Sequence, residues 1–338
     1  MLETPGVDEI FDLYVAYGMA ECLVRKGIED FELIPLGNKY KIVAKEEIRD
    51  ENALKNGLID ALEEMLALHQ ALMDSSGSSE ADFSRGANID TDPHYLRKIE
   101  KTFENIINNK KELEEYKTIP LPLMPFAGRF LPQYFSVKSG NPFKVDRINY
   151  SLAWVGIHFY TPYIKYTEEG KTSIHIYALI PLESLNALEI LALKDLKEKL
   201  PHYTENFMSN SKLALLYHLA HTETLGALEV LTKKSFSLKA YTLNKEKNNQ
   251  TIRYFDTQNI GKLMKFLWIL KRKSVYHAIK FIDDLLRVDS EAGLSFVDAV
   301  LFDEVDGFYK ALRIAKRSKV NVPRKVVEGI QEYINVLG

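Results

Sequence analysis

Wound at 100° per residue, the stretch Asn259–Arg287 sorts into two sides. Ile260, Leu263, Met264, Leu267, Leu270, Val275, Ala278, Phe281, Ile282 and Leu285 gather on one. Lys262, Lys265, Trp268, Arg272, Tyr276, Lys280 and Arg287 gather on the other, with Asp283 as the exception. An apolar side is what any amphipathic helix buries. An outward side of cations with flat rings between them has a chemistry of its own. Lysine and arginine neutralise phosphates, and aromatic rings stack on bases or wedge between them. The same pattern also suits a solvated helix whose Trp268 packs on a neighbouring layer.

A second cationic cluster follows at Lys310, Arg313, Lys316, Arg317, Lys319, Arg324 and Lys325, where Lys310, Arg313 and Arg317 share a helix face. A third candidate is Lys138-Ser139-Gly140-Asn141 with Lys144 and Arg147 nearby. Glycine lets a backbone approach a ligand, asparagine can read a base edge, and the cations can hold phosphate. A plain surface turn has the same composition.

Other chemistries find weaker support. His218 and His221 lie three apart on an expected helix, but no glutamate stands between histidines at i and i+4 as in a zincin. His158 and His175 are placed in two strands expected to pair. A turn at 168–171 sets the antiparallel register sum near 339 and theirs is 333, so they do not face each other unless Pro162 forces a bulge. Asp283-Asp284 and Asp303-Glu304-Asp306 are the carboxylates a two-metal nuclease would draw on, although adjacent acids on a helix diverge by about 100°. No GxxxxGK[ST], GxGxxG or nucleophile elbow occurs. The only cysteine, Cys22, sits in an apolar helix and reads as core. Neither a metal nor another cofactor is expected.

The 338 residues are 46% apolar with a formal charge of -3, which excludes disorder throughout and gives no global basic excess. The average hides a gradient. Residues 1–117 hold 14 Lys/Arg against 25 Asp/Glu, residues 118–257 hold 16 against 12, and residues 258–338 hold 14 against 10. An acidic first third and a basic remainder predict a polarised surface, which ordinary solvated helix faces would also give. No signal peptide or membrane-length apolar run is evident, so a cytoplasmic protein without membrane contact is expected.

Several elements must position these groups. Asp8 predicts the N-cap of a first helix, with Ile10, Leu13, Tyr14, Tyr17, Ala20 and Val24 at helical spacing and Gly27 just past its end. Gly18 in mid-helix predicts close packing. Phe31–Ala44 reads as a hairpin turning at Gly37-Asn38, and Glu46–Met73 as a long helix. Ser75–Asp92 reads as a mobile loop, Pro93–Tyr116 as a charged helix, and Thr118–Asn141 as an extended proline-aromatic connection. Ile148–Tyr160, apolar on both faces, and Thr172–Ile180 read as strands. Helices over Leu182–Leu200 and Lys212–Thr222 precede a hairpin over Phe236–Phe255, and everything from Asn259 is helical. The class is α+β: an antiparallel or mixed sheet with packed helices in the first three quarters, then an all-helical C-terminal layer. The expected domains are 1–257, with the mobile loop at about 75–92, and a helical domain 258–338 with basic faces.

Leu13-Tyr14-Val15-Ala16-Tyr17-Gly18-Met19-Ala20-Glu21, followed by Leu23-Val24-Arg25-Lys26-Gly27, resembles the start of the large subunit of archaeal type I-A CRISPR Cascade. The opening Thr4-Pro5-Gly6, the total length, the helical ending and Phe266-Leu267-Trp268 are also similar to that family. The resemblance implies a non-enzymatic subunit of an RNA-guided antiviral surveillance complex. Its partners would be target DNA, CRISPR RNA indirectly through other subunits, the backbone and small subunits, and the helicase and nuclease. Such subunits help recognise the protospacer-adjacent motif and stabilise the R-loop, while base pairing reads the long sequence. The family transfers no motif-reading residue by position. From chemistry alone, Lys262, Lys265, Arg272, Lys280, Lys316, Arg317, Arg324 and Lys325 are the phosphate contacts and Trp268 and Tyr276 the stacking rings. Lys138, Asn141 and Lys144 form a secondary reader. A metal-dependent nuclease acting on single-stranded DNA and a scaffold touching only protein are the alternatives.

Overall fold

The computed structural model describes residues 2–44, 51–74, 101, 117–119, 123–125, 144–168, 171–197, 206–222, 225–246, 249–258, 260–288 and 290–337. The expected loop over 75–92, nearly all of the expected helix over 93–116, and Lys138 and Asn141 lie outside them. The chain forms two compact units, one of residues 1–160 with 184–190 and one of residues 161–183 with 191–338.

In the first unit β1 (Leu2–Glu3) leads into α1 (Glu9–Arg25). Asp8 caps α1 as expected, its carboxylate accepting from the N–H groups of Ile10 and Phe11. The hairpin also forms, with β2 (Phe31–Leu36) paired to β3 (Lys39–Ala44) and Gly37 at the positive φ that a two-residue turn needs at its first position. After α2 (Glu51–Asp74) come the short strands β4 (Lys117–Thr118) and β5 (Lys144–Val145), which pair with each other.

The next element corrects the sequence reading. Arg147–Tyr160 is a helix, α3, not a strand. It looked two-faced because it is buried almost all round, and a fully buried segment shows no period to separate helix from strand. His158 is therefore helical, and the expected pairing of its segment with the strand that holds His175 falls away.

α1 is buried in the same way, from Ile10 to Leu23. The two helices meet backbone to backbone. A Cβ on Gly18 would lie 2.0 Å from the Leu152 carbonyl oxygen, and one on Gly156 would lie 1.9 Å from that of Tyr14. Glu21, buried beside this contact, accepts from the Tyr160 hydroxyl at 2.6 Å and from Arg25 Nε at 2.8 Å. Arg25 continues to Glu64 on α2 at 2.6 Å.

In the second unit β6 (Tyr163–Glu168) and β7 (Lys171–Pro181) pair with Tyr163 opposite Ile176 and Glu168 opposite Lys171, the register sum of 339 that the turn predicted. β8 (Leu185–Asn186) belongs to the first unit and pairs there with β2, in a sheet of order β1-β3-β2-β8. α4 (Ala187–Lys197), a 3-10 turn at Asn206–Ser209, α5 (Ser211–His221) and α6 (Leu225–Leu231) follow. β9 (Phe236–Glu246) and β10 (Asn249–Gln258) complete an antiparallel sheet of order β10-β9-β7-β6.

The remainder is helical as expected: α7 (Gly261–Lys273), α8 (Val275–Val288), α9 (Ser290–Leu301), α10 (Val305–Arg317) and α11 (Arg324–Leu337). Phe266, Phe281, Phe296, Phe308 and Tyr333 fill the space between them, mostly edge to face. No helix among the described residues is long and apolar enough to cross a membrane.

The α1–α3 contact yields a stability test. Alanine normally gains up to about 1 kcal/mol over glycine inside a helix. Gly156→Ala must instead push two backbones apart and is expected to cost roughly 2–3 kcal/mol, read as a lower midpoint in chemical denaturation. A raised midpoint would contradict the contact.

Candidate nucleic-acid interface

The single cationic rod expected over Asn259–Arg287 is two helices. Ser274, in an extended conformation (φ -172°, ψ 113°), ends α7 and opens α8. Its hydroxyl lies 2.9 Å from His277 Nδ1, and its carbonyl accepts from the Ala278 N–H at 3.0 Å. The break is a serine N-cap, which interrupts the helical repeat without disturbing the apolar spacing that sequence periodicity detects.

α7 is the central helix of this layer. Eight of its residues are buried, and it packs against α5, α6, α8, α9 and α11. Trp268 is half-buried, with the Arg272 guanidinium stacked over its ring at 4.6 Å. Lys262 pairs with Asp303, while Arg272 and Lys273 both pair with Glu332. Lys271 points inward and donates to the carbonyls of Leu219 and Thr222 at the end of α5. Burial pushes its ammonium down to about 8. On α8 Tyr276 is exposed, with Lys280 Nζ 5.9 Å from its ring centre.

α10 differs in kind. Only Phe308, Ala311 and Ala315 are buried, a narrow stripe that leaves most of the helix in solvent. Lys310, Arg313, Lys316 and Arg317 are exposed along it, with Lys319 just beyond, and none forms an ion pair among the described residues. Tyr309, 57% exposed, stands one turn before Arg313, and Phe302 and Val305 are exposed where α9 turns into α10. The sequence reading noted the cations but passed over Tyr309. Its spacing of four from Arg313 is the signal that would have found it.

On α11, Arg324 and Lys325 both reach Glu328, at 2.9 and 3.3 Å. Lys144 is exposed on β5 in the first unit. The expected sites thus divide into Lys262, Arg272, Arg324 and Lys325, each already holding a carboxylate, and Lys265, Lys280, Lys316 and Arg317, which hold none among the described residues.

The carboxylates and histidines are engaged elsewhere. Asp283 accepts from His221 Nε2 at 2.7 Å and Asp303 holds Lys262, so neither converges with a second acid. Among the described residues no group of three or more His, Cys, Asp or Glu is placed to hold a metal. His175 bonds Thr242 and the Met208 carbonyl, each at 2.8 Å, and His218 bonds the Leu196 carbonyl at 2.6 Å. Cys22 is buried, and burial pushes its thiol far up.

The described residues thus comprise two four-stranded antiparallel sheets with packed helices and five C-terminal helices, several of which carry cations outward. The profile of the family described as CRISPR-associated protein (Cas_Csa4) matches residues 1–336, and the chain belongs to that family. It is 46% identical over 350 positions to the CRISPR-associated protein Cas8a2/Csa4 of Methanocaldococcus jannaschii, a match covering 98% of this chain and 92% of the relative. The resemblance read from the opening helix is borne out.

The buried histidine sets a pH dependence. Burial first, then the nearby charges of Lys271 and His221, hold His218 down at about 4, while the unfolded chain titrates near 6.5. Between pH 6.5 and 4 the unfolded state therefore binds more protons and stability falls with pH, by on the order of 3 kcal/mol from this group. His218→Gln keeps a donor for the Leu196 carbonyl. It is expected to flatten that part of the stability profile measured by urea denaturation, and an unchanged slope would refute the assignment.

Proposed function

We propose that this chain is the large subunit of a type I-A CRISPR RNA-guided surveillance complex and binds target DNA without cleaving it. The observation that carries the DNA reading is the outward face of α10. Lys310, Arg313, Lys316 and Arg317 stand in solvent with no carboxylate partner among the described residues, beside the exposed ring of Tyr309. Free cations exchange small counterions for phosphates, and an adjacent ring offers a stacking surface. Lys265, Trp268, Tyr276 and Lys280 on α7 and α8 extend the cationic surface, and Lys144, with Lys138 and Asn141, is a further candidate contact.

In such a complex the CRISPR RNA reads the target by base pairing, and this subunit contributes phosphate contacts near the protospacer-adjacent motif and along the opened strands. The backbone and small subunits, and the helicase and nuclease, are the protein partners this role requires. Family membership supports the assembly, and the engagement of Asp283 by His221 and of Asp303 by Lys262 supports binding over nuclease chemistry.

The triple variant Arg313→Glu/Lys316→Glu/Arg317→Glu tests the reading. Its affinity for a DNA oligonucleotide should drop at least about tenfold, and its salt slope should become shallower by about 2 to 3. Unchanged affinity would make the chain a scaffold that touches only protein. Cleavage of the oligonucleotide in Mg²⁺ or Mn²⁺ that disappears in Asp283→Ala would transfer it to the nucleases.

A further inference from the structure

Glu332 on α11 holds two cations of α7 at once. Arg272 Nη2 meets Oε1, and Lys273 Nζ meets Oε2 at 2.7 Å. Two cations on the two oxygens of one carboxylate form the arrangement in which a phosphate would present its own oxygens. Trp268 positions the guanidinium by stacking at 4.6 Å, a contact that does not depend on the carboxylate. Arg272 and Lys273 lie in the last turn of α7, where the helix dipole is negative, so the pair attracts an anion through its own charge.

We propose that Arg272 and Lys273 form a phosphate site which Glu332 occupies in the free protein, so that Glu332 is a built-in competitor that a nucleic-acid backbone must displace. The inference rests on the nucleic-acid reading above.

Displacement is physically cheap. All three side chains are partly exposed, so solvent weakens both ion pairs. Releasing Glu332 does not undock its helix. α11 is held by Val326, Ile330 and Tyr333, all buried, and the Tyr333 ring packs 5.2 Å from that of Phe266. The hydrogen bond from Lys273 and the charge of Arg272 hold the Glu332 carboxyl below its ordinary range, so the competitor stays ionised at neutral pH. A lone anion gains little by replacing it. A polyanion already held at neighbouring cations replaces it at high effective concentration. The pair therefore joins the interface only when a strand is already seated.

The test compares DNA affinity of full-length variants at one salt concentration. Glu332→Gln is expected to bind an oligonucleotide roughly three- to tenfold tighter. Glu291→Gln, the same charge change at an exposed position on α9, should alter affinity less than about twofold. Adding Arg272→Ala and Lys273→Ala to Glu332→Gln should abolish the gain. Equal effects of Glu332→Gln and Glu291→Gln, or a gain that survives loss of both cations, would overturn the proposal. So would a changed melting temperature with unchanged affinity, which would assign Glu332 to stability alone. Orthophosphate at matched ionic strength should leave the melting temperatures of wild type and Glu332→Gln unshifted. Selective stabilisation of the variant would make this a free-phosphate site and overturn the backbone assignment. If the triple α10 variant binds like wild type, the nucleic-acid reading fails. If that variant loses binding while Glu332→Gln changes nothing, only the competitor fails.

Discussion

A cation that already holds a carboxylate can take a phosphate only by giving the carboxylate up. That competition organises the basic residues of the C-terminal helices. The difference is modest per residue, since exposed pairs contribute about 0.2–1 kcal/mol, but it adds up over several residues. Lys262, Arg272, Lys273, Arg324 and Lys325 carry it, and the α10 cations do not. A formal charge of -3 is therefore compatible with a positive local surface, because carboxylates among the described residues pair with cations on other helices and none pairs with those of α10.

The fold decides which helix is free in this way. α7 packs against five others and turns most of its surface inward, even placing Lys271 on the carbonyls that end α5. Its remaining cations emerge where other helices already present acids. α10 buries only Phe308, Ala311 and Ala315, with Gly307 close against Ala299 of α9, and these small residues let it lie close while exposing a broad outer surface. Asp303, at a positive φ of 57°, turns the chain out of α9 and spends its carboxylate on Lys262. The residue that shapes the entry to α10 is also one that neutralises α7.

Much of this was legible in the sequence, for reasons that can be named. Asp8, Gly27 and the Gly37 turn act within a few residues, and local signals of that kind survive without knowledge of the fold. The register sum of 339 followed from the turn, because antiparallel pairing conserves it, although the partner strand is β6 and not the expected Ile148–Tyr160. α3 was illegible as a helix because burial on nearly every side erases the period. Gly18 announced a close approach, but its partner at Leu152 is 134 positions away and leaves no local trace. The Ser274 break was hidden by apolar spacing that runs through it. In the candidate site the cations could be read and their partners could not. Glu328 lies one turn from Arg324, whereas Glu332 lies 60 positions from Arg272, and only the helix packing brings the latter pair together.

Lysine acetylation footprinting of the full chain with and without a DNA oligonucleotide addresses the central claim most directly. The account predicts protection at Lys310, Lys316 and Lys319 when DNA is bound, with the buried Lys271 unreactive in both states. DNA binding that leaves these three lysines as reactive as in the free protein would contradict it.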